Sequence, residues 1–152
     1  MSQDGVGIDL GTSLGYLLKE ASSALRSAME AALRPLGMSV THYSCLELLA
    51  QRPGLSNSEL ARGAFVSRQS MNVLLQALER DGYVMRPAEA PVGKALPARL
   101  TPRGRRSLAK ATVAVRSVED LMLRELTRVD QEEARRILLS LVASLRKAPR
   151  NA

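Results

Sequence analysis

One cysteine and one histidine are all that this chain of 152 residues holds of the two side chains most used as nucleophiles and metal ligands. With Cys45 alone no intrachain disulfide can form, and with His42 as the only imidazole a zinc site would need several acidic ligands or a second chain. Neither a metal nor a cofactor is expected. The two residues lie three positions apart, close enough on a helix to set a base beside a thiol, but no orienting acid or oxyanion loop accompanies them, and an enzyme is not expected. Aromatics are as scarce, with one Phe, three Tyr and no Trp. Long apolar runs are missing too. None approaches the roughly 18 to 20 residues a membrane span requires, and "MSQDGVGIDLG" carries acids where a cationic leader would stand. The expectation is a soluble, cytoplasmic chain with no membrane association.

What is present is Leu, Ala, Val and Met at helix-compatible spacing, enough for one core at this length, so residues 1–152 are read as one mostly helical domain. The net charge of +7 is concentrated. Residues 1–51 carry −2, residues 52–116 carry +8 and residues 117–152 carry +1. A polyanion would be drawn to the middle segment.

The first stripe, Leu14, Leu17, Leu18, Ala21, Ala24, Leu25, Ala28 and Leu33, predicts an amphipathic helix from Leu10 to Leu36, ended by Pro35 and Gly37. Thr41 is expected to cap a second helix with Tyr43, Leu46, Leu49 and Ala50 inward, stopped by "RPG". "SNSE", Ser56 to Glu59, is a capping box for a third helix that lasts to about Arg62. After a tight Gly-containing connection, Gly63 to Val66, Ser67 caps a fourth helix that Gly82 closes. Two helices so joined resemble the helix-turn-helix unit.

Beyond Gly82 the period changes, and "YVMRP" and "KALPARLT" predict a hairpin around "AEAPVG", with Pro97 at an edge position. Thr101 and Pro102 restart helix, and the stripe Leu108, Ala111, Val115, Val118, Met122, Leu126 predicts about seven turns. Asp130 and Glu133 are read as a capping box opening a last helix with Ile137, Leu138, Leu141, Val142 and Leu145 inward. The ends, about residues 1–9 and 147–152, are expected to fray.

On a helical wheel of residues 67–81, Met71, Leu74, Leu75 and Leu78 share one narrow arc. Gln69, Val73, Gln76 and Arg80 lie opposite, flanked by Ser67, Arg68 and Asn72. A core has no use for that outer face. A helix in the major groove does, because Gln or Asn pairs bidentately with adenine, Arg pairs with guanine, and Val73 can meet a thymine methyl. Arg86, Arg99 and Lys94 of the hairpin are placed to reach an adjacent minor groove. Arg103, Arg105 and Arg106 crowd the first turns of the fifth helix, where like charge opposes the macrodipole by a few tenths of a kcal/mol each. A phosphate backbone would offset that repulsion.

In that order, "SRQSMNVLLQALERDGYV", a basic hairpin, "LTPRG" and two long helices make residues 10 to about 147 resemble the MarR family of winged helix-turn-helix regulators. "LERDGYV" and "LTPRG" are the most specific parts. The resemblance implies a mainly α fold with a small β-hairpin wing, a DNA-binding unit at 41–101 and dimerisation helices at 10–37 and 117–147. It implies double-stranded DNA as partner and a homodimer through Leu10, Leu14, Leu17, Ile137, Leu141 and Leu145. The expected DNA set is Ser56, Ser67, Arg68, Gln69, Ser70, Asn72, Val73, Gln76, Arg80, Arg86, Lys94, Arg99, Arg103 and Arg106. Relatives often bind small aromatic or anionic effectors, for which Tyr16, His42 and Tyr43 are the candidates here. The sequence departs from the family in the wing, where Val92 and Lys94 stand in place of an Asp and an Arg two residues apart. It departs again at Val73, where relatives often carry a polar or basic residue.

Two rival readings follow from the same residues. A helical adaptor for another protein would also use apolar outer helices and basic patches, but without the steep salt dependence of phosphate contacts. A redox-sensing regulator would use Cys45, which stands among apolar neighbours with no cation beside it to lower its pKa and is expected to be inert.

Overall fold

A computed structural model describes residues 7–86 and 98–148. Lys94, Val92, Gly93, Pro97 and the outermost residues of both ends lie outside them. The helices are α1 (Leu14–Leu33), α2 (Val40–Gln51), α3 (Asn57–Gly63), α4 (Arg68–Arg80), α5 (Pro102–Met122) and α6 (Arg128–Lys147), with a 3-10 turn at Arg34–Leu36. Strands β1 (Val84–Met85) and β2 (Arg99–Leu100) pair antiparallel, Val84 opposite Leu100 and Met85 opposite Arg99. The chain forms two compact units that divide after Val118.

In the first unit the core is built where α1 to α5 and the strand pair converge. Leu33, Cys45, Leu46, Leu60, Met71, Leu75 and Ala111 are wholly enclosed, and the cluster also takes in Leu49, Leu78, Val84 and Leu100. The stripe foreseen on α4 is the buried one, with Leu74 half-covered.

Several helix ends follow the expected chemistry. Ser56 accepts from the Glu59 N–H while Glu59 accepts from the Ser56 N–H, and the Ser67 hydroxyl accepts from the Ser70 N–H. Gly82 turns the chain out of α4 at φ 82°, a region a Cβ would penalise.

Other ends differ. Leu10 sits in a turn in which Asp9 O accepts from Thr12 and Ser13, so α1 begins only at Leu14, with Ser13 as its cap. Ser39, not Thr41, caps α2 by accepting from the His42 N–H, because Ser39 has the extended backbone a cap needs. Ala50 is exposed, and Cys45 takes the inward place given to it. The turn between α3 and α4 takes its left-handed residue from Phe65 at φ 60°, with the ring 89% exposed, while Gly63 stays helical against Leu48. α5 stops at Met122, so Leu126 falls in the following turn. The capping box of α6 is Thr127 with Asp130; Glu133 lies one turn further in and holds Arg136. None of Ile137, Leu138, Leu141, Val142 and Leu145 is buried. The stripe is present and lies open in the single chain.

Candidate nucleic-acid interface

The fourth helix presents two faces of different chemistry. Against the core lie Met71, Leu75 and Leu78; opposite them Gln69, Val73, Gln76 and Arg80 are all exposed. Arg68, Ser70 and Asn72 are exposed near the N-terminal end. Ser67 and Ser70 are joined there, the Ser67 hydroxyl donating to the Ser70 hydroxyl at 2.9 Å. Ser56 is half-buried in its capping box.

The strand pair and α5 are tied to the end of α4 through one threonine. Thr101 N–H donates to Tyr83 O at 3.1 Å, its hydroxyl donates to Gly82 O at 2.6 Å, and the same oxygen accepts from the Gly104 N–H at 3.0 Å. "RDGYV" and "LTPRG" each supply half of one hydrogen-bonded corner. Gly104 is part of it by absence of a side chain: a Cβ there would stand 2.1 Å from Tyr83 O.

That corner orients cations. The Arg103 guanidinium lies 4.6 Å from the centre of the Tyr83 ring and donates to its hydroxyl at 3.3 Å. Arg103, Arg106 and Lys110 line a cavity of about 430 Å³ with Tyr83, Ser107, Pro35 and Leu36. A second hollow of about 620 Å³, between the end of α2, β2 and α5, includes Arg99 and Arg105 over Leu49, Leu100 and Leu108. Arg86 is used differently. Its Nε lies 3.5 Å from a Glu79 carboxylate oxygen without hydrogen-bond alignment, and its side chain is only 24% exposed, so it is less open to a further anion than Arg80. Arg80 keeps a loose contact with Asp81 at 3.7 Å and is well exposed.

His42 and Tyr43 stand side by side at the start of α2, while Tyr16 is on the exposed surface of α1. His42 meets Tyr83 edge to face at 5.3 Å between ring centres. Burial pulls its pKa below the ordinary imidazole value against an upward pull from Asp81, and its Nε2 is enclosed with no hydrogen-bond partner among the described residues. The sequence does not mark Tyr83 and Lys110 as site residues, because each looks like an ordinary element end or solvated cation until the fold sets Tyr83 against His42 and Arg103 and puts Lys110 in one cavity with Arg103 and Arg106.

Cys45 is wholly buried, and burial pushes its thiol up to about 12 from an ordinary value of 9.0. The thiolate that oxidant sensing needs is suppressed. A raised acid pKa means that the unfolded chain loses the proton first. The stability this group confers is therefore complete below about pH 9 and is lost as pH rises towards 12, by up to about 1.4 kcal/mol per pH unit. Urea unfolding across that range should show a steeper alkaline loss for the native protein than for Cys45→Ala; equal slopes would remove the assignment.

A helix, a tight turn, an outward-facing second helix and a strand pair locked to a long following helix define a winged helix-turn-helix module. A family model described as "MarR family" matches residues 36–95. The chain is 44% identical over 133 residues to the HTH-type transcriptional repressor Rv2887 of Mycobacterium tuberculosis, covering 88% of this chain and 96% of that protein. The crystal structure of M. tuberculosis Rv2887 with salicylic acid superposes with a TM-score of 0.72 at 45% identity, over 86% of this chain and 96% of that one. Its complex with DNA gives 0.71 at 43% identity, over 86% and 98%. This chain belongs to the MarR family.

No helix among the described residues is long and apolar enough to cross a membrane. Among those residues no group of three or more His, Cys, Asp or Glu is placed to hold a metal ion.

Proposed function

We propose that this chain is a dimeric, sequence-specific DNA-binding repressor, released from a pseudo-palindromic operator by a small aromatic or anionic effector and acting in the cytoplasm, on the nucleoid when bound. The observation that carries the reading is the outer face of α4. Gln69, Val73, Gln76 and Arg80 are exposed, polar or methyl-bearing, and backed by a buried stripe that fixes which way they point. The DNA complex of Rv2887 supports it.

In this reading residues 41–101 are the DNA-binding unit. Ser67, Arg68, Ser70 and Asn72 flank the base-reading face, and Ser56 sits at the start of α3 near the backbone. Arg99, Arg103 and Arg106, with Lys94 of the wing, meet phosphate or the minor groove, and Arg86 contributes less because of Glu79. Residues 10–37 and 117–147 form the dimer, using Leu10, Leu14, Leu17, Ile137, Leu141 and Leu145. What supports this is apolar exposure: Leu14 and Leu145 are each 72% exposed, and α6 has no buried residue. The two reading helices then lie about 34 Å apart, one turn of the duplex.

The effector is assigned to the neighbourhood of His42 and Tyr43, with Tyr16 as a further candidate. Its negative group is assigned to the cavity at Arg103, Arg106 and Lys110. The salicylic acid and p-aminosalicylic acid complexes of Rv2887 support an effector of that class. Arg103 and Arg106 serve both ligands in this account, so a bound anion withdraws charge from the operator.

Two substitutions separate readout from attraction. Gln69→Ala is expected to lose about 1–3 kcal/mol of discrimination at one base position, whereas Arg106→Ala should weaken cognate and scrambled duplexes alike and lower the salt slope by about one. Anisotropy titrations on both duplexes at several salt concentrations measure this. Equal losses on the two duplexes for Gln69→Ala would remove Gln69 from the reading set.

A further inference from the structure

Bidentate pairing of an asparagine with adenine uses both halves of the amide, the carbonyl accepting from N6 and the NH2 donating to N7. In this chain the carbonyl half of the Asn72 amide is already engaged. Asn57, the half-buried first residue of α3, donates from Nδ2 to Oδ1 of Asn72 at 2.5 Å, bridging fifteen positions of sequence. Ser56 and Glu59 complete the capping box without Asn57, so the contact is not a by-product of ending that helix. It joins the supporting helix of the motif to the flank of the reading face.

We propose that Asn57 is a positioning residue for base readout, which holds the carbonyl of Asn72 against α3 and leaves its NH2 as the only group presented outward. The inference rests on the reading that α4 enters the major groove. A donor alone favours base edges that present acceptors, guanine through O6 and N7 and thymine through O4. It disfavours cytosine, whose N4 is a donor, and adenine, whose N6 donor lies beside N7. An isolated helical wheel of α4 assigns Asn72 to adenine; the neighbouring helix reverses that preference.

The test is a site selected by the full chain from random duplexes, then a panel carrying each of the four bases at every position of that site, titrated at fixed salt. Wild type should show one position per half-site at which guanine or thymine is favoured about fivefold over cytosine and adenine, a preference that Asn72→Ala erases. Asn57→Asp offers only acceptors to its neighbour, so the Asn72 amide must turn and present its carbonyl. The order of bases at that position should invert by a similar factor, while the added negative charge weakens all duplexes uniformly and cancels in the ratio. Asn57→Ala, which removes the clamp without adding charge, should raise adenine to the level of the best base there. A brace between helices with no part in readout would change stability or overall affinity and leave the order of bases untouched. That unchanged order in both Asn57 variants, with duplex binding intact, overturns the clamp alone. A wild-type protein that binds no duplex selectively overturns the regulator reading and the clamp together.

Discussion

Gly104→Ala is expected to cost about 3 kcal/mol or more of folding stability, among the largest effects of any single-methyl addition to this chain. The added carbon would stand 2.1 Å from Tyr83 O, a backbone atom that cannot swing aside as a side-chain tip does. Relief requires α5 to move from the corner where Thr101 bonds to Gly82 and Tyr83. The damage should therefore reach function as well as stability, because Arg103 and Arg106 take their positions from the first turns of that helix. Thermal or urea unfolding gives the first quantity and duplex titration the second. A stability within about 0.5 kcal/mol of wild type would mean that the close approach at Tyr83 is not there.

A larger loss of DNA affinity is expected from polar substitution of the outer helices. Leu14→Asp with Leu145→Asp places charges on the most exposed leucine of α1 and the most exposed leucine of α6. In the dimer proposed above these residues are buried against the partner copy, and a carboxylate there is desolvated without a counter-charge. The altered chain should sediment as a monomer. Since each monomer meets only one half-site, affinity for the full operator should fall roughly 100-fold or more, while affinity for an isolated half-site changes little. Sedimentation and titration of both duplexes decide it. A doubly substituted chain that remains dimeric moves the interface elsewhere.

The parts of this fold that were legible in the sequence are those set by neighbours three or four residues away. Ser56 with Glu59, Ser67 and Gly82 were readable because a cap and a left-handed exit are local chemistry. The inner stripe of α4 was readable because burial follows helical period. The errors arose where two local solutions competed. Ser39 and Thr41 both offer a hydroxyl near the start of α2, and Thr127 and Asp130 both offer an oxygen near the start of α6; backbone conformation chose the earlier one each time. At the turn between α3 and α4 the neighbouring glycine was no guide, since Phe65 and not Gly63 adopts the positive φ.

For the site, the outer face of α4 was legible as a face, and its partners were not. Glu79 drawing on Arg86, Tyr83 beneath Arg103 and Asn57 against Asn72 are contacts between elements, and no spacing rule connects them. They alter what the foreseen residues do. One cation is paired and largely covered, one lies over a ring, and one amide has its carbonyl engaged. Cys45 was foreseen among apolar neighbours, and the fold buries it there.

Selection of genomic fragments by the purified chain, run beside the double variant Gln69→Ala with Gln76→Ala, tests the central claim most directly. The wild-type chain should retain a small set of fragments sharing an inverted repeat with half-site centres about one helical turn apart, and the variant should retain fragments without that repeat. Retention of the same repeat by both proteins, or of no common repeat by the wild type, would mean that the exposed side of the fourth helix does not read DNA.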